Sequence, residues 1–276
     1  MEQGIYDISI EDYHAGDGVS RSQLIELRKA PIYYHYKYIS GEYVRPAAPK
    51  IIKHDSPLEF GNALHTYILE HEFFMERYHI IPKVNRATSV GKQIYNDALI
   101  ETKTSSKQIL CESSMDMLHK MKQSVDNHED AKILLEEYQS EKSFYWVDPD
   151  TGIPCKSRPD IWGEGYIADL KTCQTAEPYS FQKEAAKFGY HIQAGMIKEA
   201  FKHVLGEEIN KFFFIAVEKT APYAVAVYQL DDLAVEQGVL QFKRLLMQLK
   251  KCQEQNKWTG YPTSLISIPH YASEEL

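Results

Sequence analysis

Cysteine is scarce in this chain, with four residues (Cys111, Cys155, Cys173 and Cys252) among 276. No two of them form a C-x-x-C pair. A zinc ribbon or a Cys-ligated iron–sulfur cluster is therefore excluded, and reduced, mostly buried thiols are expected. Long apolar runs are also missing. The longest, Phe212–Val217, is far shorter than the roughly 20 residues that cross a bilayer. The first residues, Met1 to Asp7, lack the basic and apolar regions of a signal peptide. Excess positive charge is absent too: 31 Lys and Arg stand against 39 Asp and Glu, a net charge of −8. That argues against a generic DNA-coating protein but leaves room for a local basic groove. No G-x-x-x-x-G-K-[ST] stretch occurs, so ATP-driven work within this chain is not expected.

What is present is enough to fold. Hydrophobic residues make up 43% and charged residues 25%, which places the chain among globular rather than disordered sequences. The 19 tyrosines predict an aromatic-rich core. No repeat, low-complexity tract or clean linker interrupts residues 1–276, so one mixed α/β domain is expected.

Ser20 with Gln23 forms a capping-box pattern ahead of Leu24 and Leu27, and Pro31 opens a second, Tyr-rich helix. Residues 41–55 read as loop. Ser56-Pro57-Leu58-Glu59 starts a helix running to about Glu70 and carrying Gly61 and His65. A short strand near Tyr78–Ile81 precedes a polar loop, 82–92, that enters another helix. The spacing predicts one helix over 112–138. Strands follow at 143–147, 153–162 and 166–172, with the Gly163-Glu164-Gly165 turn between the last two. Helices at 177–188 and 190–204, strands at 211–218 and 223–230, and a helix from Asp231 to about Gln255 complete the chain.

The tight turn carries the chemistry. Centred between Glu164 and Gly165, it sets Asp160 directly opposite Asp169, about 4.5–5.5 Å apart at Cβ. Two like charges so placed are destabilising unless a cation lies between them, and carboxylates suit Mg²⁺ or Mn²⁺. Lys171 and Arg158, each two residues away, leave from the same face. A solvated charge ladder is the plainer reading of one Asp-x-Lys. The opposed Asp and the flanking Ile161, Ile167 and Leu170 favour a site. His65 stands out only because Gly61, one helical turn earlier, would let another backbone approach. Other histidines, among them His35, His54, His71 and His191, read as ordinary surface or core residues. Glu141 reads as a solvated strand start. Thr88 or Ser89 can cap a helix whose amides attract anions, with Arg86 and Lys92 beside it.

Arg158-Pro159-Asp160 followed by Asp169-Leu170-Lys171 resembles the signature of the PD-(D/E)xK nuclease superfamily. Gly61-Asn62-Ala63-Leu64-His65 and Tyr190-His191-Ile192-Gln193 are similar to the G-x-x-x-H and Y-x-x-Q motifs of its RecB-like branch, although Ile197 stands where that branch often has Tyr. Tyr6-Asp7-Ile8-Ser9, Tyr13-His14-Ala15-Gly16, Ser20-Arg21-Ser22-Gln23-Leu24, Asn85-Arg86-Ala87-Thr88 with Gly91-Lys92, and Phe144-Tyr145-Trp146 resemble phage-type RecE exonucleases.

The resemblance implies a nuclease core at 56–260 with a mixed central sheet flanked by helices, an N-terminal helical arm at 1–55 and a tail at 261–276. It implies two Mg²⁺ ions, replaceable by Mn²⁺, held by His65, Asp160, Asp169 and the Leu170 carbonyl. Lys171 would act on the attacking water and Gln193 would position the site. Arg21, Arg86, Thr88, Lys92, Arg158 and Tyr190 would meet DNA. A 5′-to-3′ exonuclease on double-stranded DNA ends is implied, working with a RecT-type annealing protein as a homo-oligomeric ring such as a tetramer. It would act in the cytoplasm of a bacterial host and be encoded by a phage or prophage.

Overall fold

The computed structural model describes residues 1–44, 46, 51–52, 56–105 and 107–268. In chain order the elements begin with β1 (Gly4–Tyr6), α1 (Ile10–Ala15), α2 (Arg21–Lys29), α3 (Pro31–Tyr38) and β2 (Ile51–Ile52). Then come α4 (Pro57–Leu69), α5 (His71–Arg77), β3 (Tyr78–Ile81), α6 (Ser89–Ser105), β4 (Gln108–Cys111), α7 (Glu112–Asp126) and α8 (Glu129–Leu134). The second half holds β5 (Tyr138–Ser140), β6 (Ser143–Val147), β7 (Pro154–Ser157), β8 (Ile161–Gly163) and β9 (Tyr166–Cys173). It closes with α9 (Pro178–Phe188), α10 (Tyr190–Leu205), β10 (Lys211–Glu218), β11 (Val225–Leu230) and α11 (Asp232–Gln255).

The central sheet runs β11-β10-β9-β8-β5 and is mixed, with β9 and β10 parallel and the other neighbours antiparallel. Because strand side chains alternate, β9 sends Ile167 to one face and Ala168 and Leu170 to the other. Ile167 packs with Ile192 and Met196 of α10 and Phe242 of α11. Ala168 and Leu170 pack with Phe60 and Leu64 of α4 and Leu118 of α7. Helices thus cover both faces of the strand, as a parallel pair requires. The first face is not apolar throughout: Asp169 and Lys171 share it with Ile167.

Helices α10 and α11 meet backbone to backbone. A Cβ on Gly238 would lie 1.8 Å from the His191 carbonyl oxygen, and one on Gly195 2.2 Å from the Val239 nitrogen. This contact fixes the rotation of α10 and so the direction of its first turns, which carry Tyr190 and Gln193.

The N-terminal segment, expected as a helical arm, carries α1, α2 and α3 and also a strand. β1 pairs with β6 in a second sheet, β1-β6-β7, and Leu24, Leu27 and Tyr34 are buried in the same cluster as α10 and α11. Gln23 accepts from the Ser20 amide at 2.7 Å, in the expected capping box. A third sheet, β2-β4-β3, is parallel. Its Ile51–Ile52 strand lies in the segment expected to be loop, while Arg45, 47–50 and 53–55, with His54, lie outside the described residues. Residues 261–268 form no regular element, and the remainder of the expected tail, 269–276, is also outside them.

Two elements depart from the sequence expectation. The expected helix over 112–138 is divided: α7 ends at Asp126, and a new start at His128 accepts from the Ala131 amide at 3.4 Å. Its last residue, Tyr138, is already in β5, whose pairing with β8 overrides the helical composition of this stretch. The expected strand 153–162 breaks at Arg158-Pro159-Asp160, where proline has no N–H for a ladder. Before the break the chain pairs with β6, after it with β9.

Candidate active site

β8 and β9 pair as Ile161 with Ala168, Trp162 with Ile167, and Gly163 with Tyr166. This register puts Asp160 opposite Asp169 one step past the last pair, at the open end of the fork. Asp160 Oδ2 accepts from the Leu170 amide at 3.0 Å. Asp169 Oδ1 accepts from Gln193 Nε2 at 2.5 Å, and Oδ2 forms an ion pair with Lys171. Both carboxylates are deeply buried, Asp160 9% and Asp169 4% exposed.

α4, on the opposite face, delivers His65. Its Nε2 lies 2.7 Å from the Leu170 carbonyl oxygen and its Nδ1 3.4 Å from Asp160 Oδ2. The Gly61 argument does not hold: a Cβ there would meet only Thr172 Oγ1, at an ordinary 3.7 Å. What brings His65 to the site is the apolar packing of α4 beneath β9.

Glu141 is not a solvated strand start. It is half-buried beside the fork at φ 55°, its side chain 15% exposed, with its amide donating to the Asp160 carbonyl at 3.2 Å. Its carboxylate pairs with Arg158 Nε at 2.6 Å. The missed signal was the β5 strand: aligning Ser140 with Ile161 places residue 141 next to Asp160. Arg158 Nη1 also donates to the Ile8 carbonyl at 2.8 Å and to Ser143 Oγ at 2.7 Å, and its side chain is 6% exposed. Arg158, expected at DNA, lines the cleft and also braces Glu141.

Burial, and then the charge of Asp169, pushes the Asp160 carboxyl above the usual range. Burial, and then the charge of Asp160, pushes Glu141 up to about 7. Burial also holds His65 below its ordinary value, which favours the neutral imidazole that ligates metals. Ligand atoms of His65, Glu141 and Asp160 all lie within 4.8 Å of one another. One imidazole, buried carboxylates whose charge is under-compensated, and an inward carbonyl form a donor set that fits a hard or borderline divalent cation. His65, Glu141 and Asp160, whose ligand atoms converge, would hold it, with the Leu170 carbonyl and Asp169 beside them. Asp169, expected among the ligands, has its oxygens engaged by Lys171 and Gln193 and stands outside the three-residue cluster.

A cleft of about 170 Å³ opens over this fork, lined among others by Asp160, Asp169, Lys171 and Gln193. Its opposite wall is N-terminal: Tyr13, Ser20, Arg21 and Ser22. Arg21 donates to the Phe188 carbonyl and lies 5.5 Å from the centre of the Tyr190 ring. Lys171 Nζ lies 4.8 Å from the same ring, so buried Tyr190 supports two cations rather than reaching into the cleft itself. Ile197 is buried in the cleft wall. His191, expected to be ordinary, lies 3.2 Å from Gln241 Oε1.

Arg86, Thr88 and Lys92 do not line this cleft. They sit at the start of α6, which packs against β3 and β4. Thr88 does cap that helix, its hydroxyl accepting from the Gly91 amide at 3.0 Å.

The family model for the PDDEXK-like domain of unknown function (DUF3799) matches residues 20–264. The chain belongs to this family. No curated protein matches it. Among solved structures, a crystal structure of a "Putative exonuclease" from Eubacterium rectale superposes with a TM-score of 0.59 at 14% identity, covering 94% of this chain and 97% of that one. At that identity the likeness is one of fold. A structure of SSO0001 aligns over 80% of this chain and 85% of its own, with a TM-score of 0.27 and 11% identity. For this PDDEXK-like protein, the mixed sheet flanked by helices is thus the fold of its family. No helix among the described residues is long and apolar enough to cross a membrane.

Proposed function

We propose that this PDDEXK-like protein is a metal-dependent deoxyribonuclease, a 5′-to-3′ exonuclease that acts on double-stranded DNA ends and leaves 3′ single-stranded tails. One observation carries the reading: Asp160 and Asp169 converge at the mouth of a fork with Lys171 in the same cleft and His65 behind it. A divalent ion bound to such residues polarises phosphoryl oxygens and lowers the pKa of water. The chain's own residues do the rest. Asp169, held by Gln193, keeps the Lys171 ammonium at the cleft, where it can orient a water and offset charge developing on the phosphate. Tyr190 fixes Lys171 and Arg21 from beneath. Arg21 enters the cleft as a second cation for the phosphate backbone. Mg²⁺, with Mn²⁺ as substitute and two ions per site, suits the oxygen-rich donors. The RecE-like motifs extend the proposal to a RecT-type annealing partner, a homo-oligomeric ring, and a role in recombination in the cytoplasm of a phage-bearing or prophage-bearing bacterium.

A single-strand nuclease or endonuclease is the second reading, favoured by the small volume of the cleft, about 170 Å³. The test is a digestion with Mg²⁺ of linear duplexes labelled at one 5′ end or one 3′ end, beside single-stranded and circular DNA. Early release of label from the 5′ end of duplex alone supports the proposal. Release from single strands or nicking of circles supports the second reading. Binding without any cleavage, in Mg²⁺ or Mn²⁺, would sink both.

A further inference from the structure

Next to the cleft residue Arg21, which donates to its carbonyl, stands an aromatic side chain that the cleft chemistry leaves unexplained. Phe188, the last residue of α9, is 45% exposed although bulky aromatics are usually buried. Its ring stacks on Tyr190, with centroids 6.1 Å apart and planes at 22°. Tyr190 in turn lies under Lys171. Phe188 is therefore two ring contacts from the catalytic ammonium, and one side of it faces solvent.

Its position is held by the backbone. The carbonyl of Phe188 accepts from Arg21, and Arg28 Nη2 lies 3.5 and 3.4 Å from the Ala186 and Lys187 carbonyl oxygens. Gly189, at φ 68°, ends the helix here, and a Cβ on it would lie 2.8 Å from Arg28 Nη1. The ring is thus mounted on a clamped helix end. Lys187 Nζ lies 5.5 Å from its centre. An exposed aromatic face with a cation beside it suits a single nucleic-acid strand, since bases stack while phosphates meet positive charge.

The depth of the fork supplies the need for such a surface. Asp160 and Asp169 are 9% and 4% exposed at the floor of the cleft, which a strand that has left its duplex reaches more readily than a paired one, and each departing base gives up its stacking partner. We infer that Phe188 is a stacking platform for the unpaired base next to the scissile phosphate, with Lys187 beside it to meet the strand's charge. The inference rests on the nuclease reading and adds the part of the substrate recognised beside the cut.

The test is binding of fluorescein-labelled single-stranded oligonucleotides in EDTA, followed by anisotropy, for the parent, Phe188→Ala and Phe188→Trp. Phe188→Ala is expected to weaken binding by roughly 5- to 150-fold, and Phe188→Trp to retain it. A second arm scans an abasic site along the oligonucleotide. One position should weaken binding to the parent and have no effect on Phe188→Ala, a coupling that general loosening of α9 would not produce. Equal affinity of parent and Phe188→Ala, or an unchanged abasic profile, would overturn the platform while leaving the nuclease reading intact. A parent that neither binds nor cuts DNA would overturn the nuclease reading itself.

Discussion

Two regions of this protein were candidates for holding phosphate, and the structure treats them in opposite ways. At the β8–β9 fork, charged groups are buried, and the groups around them come from distant segments. His65 comes from α4, Gln193 from α10, Arg158 from the strand break and Glu141 from the end of β5. At the start of α6, the groups are exposed and satisfied by their immediate neighbours. The Asn85 carbonyl accepts from the Thr88 amide at 3.0 Å and hydroxyl at 2.8 Å, and Arg86 lies 4.6 Å from the centre of the Tyr95 ring. Gly91 is required for this curl, because a Cβ there would stand 2.1 Å from the Asn85 oxygen. A group whose partners lie next to it in sequence is stable as it is. A group whose charge is buried and incompletely offset stores a demand for a ligand.

The contrast is broken most sharply by removing charge from the fork. Asp160→Asn or Asp169→Asn should lower cleavage by at least about 10²–10³-fold, the scale of losing one transition-state contact, while DNA binding and fold persist. Single-turnover digestion with anisotropy in parallel checks this; parent-like cleavage by either variant would remove the fork from the chemistry. Next in size is Arg158→Ala. Leaving Glu141 buried without its partner should cost about 3–5 kcal/mol of stability, against within about 0.5 kcal/mol for Arg86→Ala at the exposed loop. Denaturant unfolding of the two variants measures the difference, and similar losses would erase the distinction between the regions.

A smaller effect is the pH dependence of the metal-free protein. Burial raises Asp160 and lifts Glu141 to about 7, so the fold favours their protonated forms. Their contribution is complete below the ordinary carboxylate range and is lost as pH rises through about 7. In EDTA the melting temperature should fall by a few degrees between pH 6 and 8.5, and Asp160→Asn should flatten that fall. Divalent cation should reverse it. A flat profile in the parent would mean that Arg158 and Lys171 already balance the site. The smallest effect belongs to the α6 start. If that loop holds a terminal phosphate, Arg86→Ala should reduce the preference for 5′-phosphorylated over 5′-hydroxyl duplex by about 10-fold, the low end for a charge-assisted contact. Equal slowing on both substrates, or none, would leave Arg86 as the partner of Tyr95.

The legibility of these features followed distance along the chain. The Asp160–Asp169 register could be read because a tight turn and a side-chain period of two fix it within ten residues. The Thr88 cap and the starts at Ser20, Ser56 and Asp231 are similarly local. Glu141 was missed because the helix-rich composition before it concealed β5, and only the pairing of β5 with β8 shows what 141 adjoins. For Arg158 alternation gave a face and not a partner: it lines the cleft, but its ion pair with Glu141 depends on where the chain goes after the break at Pro159.

Residue order alone was therefore sufficient for the hairpin that opposes two carboxylates, the Lys171 beside them, and the alternation of strands and helices that makes a mixed sheet, since turns, caps and periodicity are short-range effects. Packing of the whole core was needed to bring His65 beneath Leu170, to aim Gln193 at Asp169 through the Gly195–Gly238 contact, and to set Arg21 of α2 across the cleft. It also decided which charges stay unpaired. That outcome depends on desolvation, and desolvation is set by every segment that covers a group rather than by its neighbours in the chain.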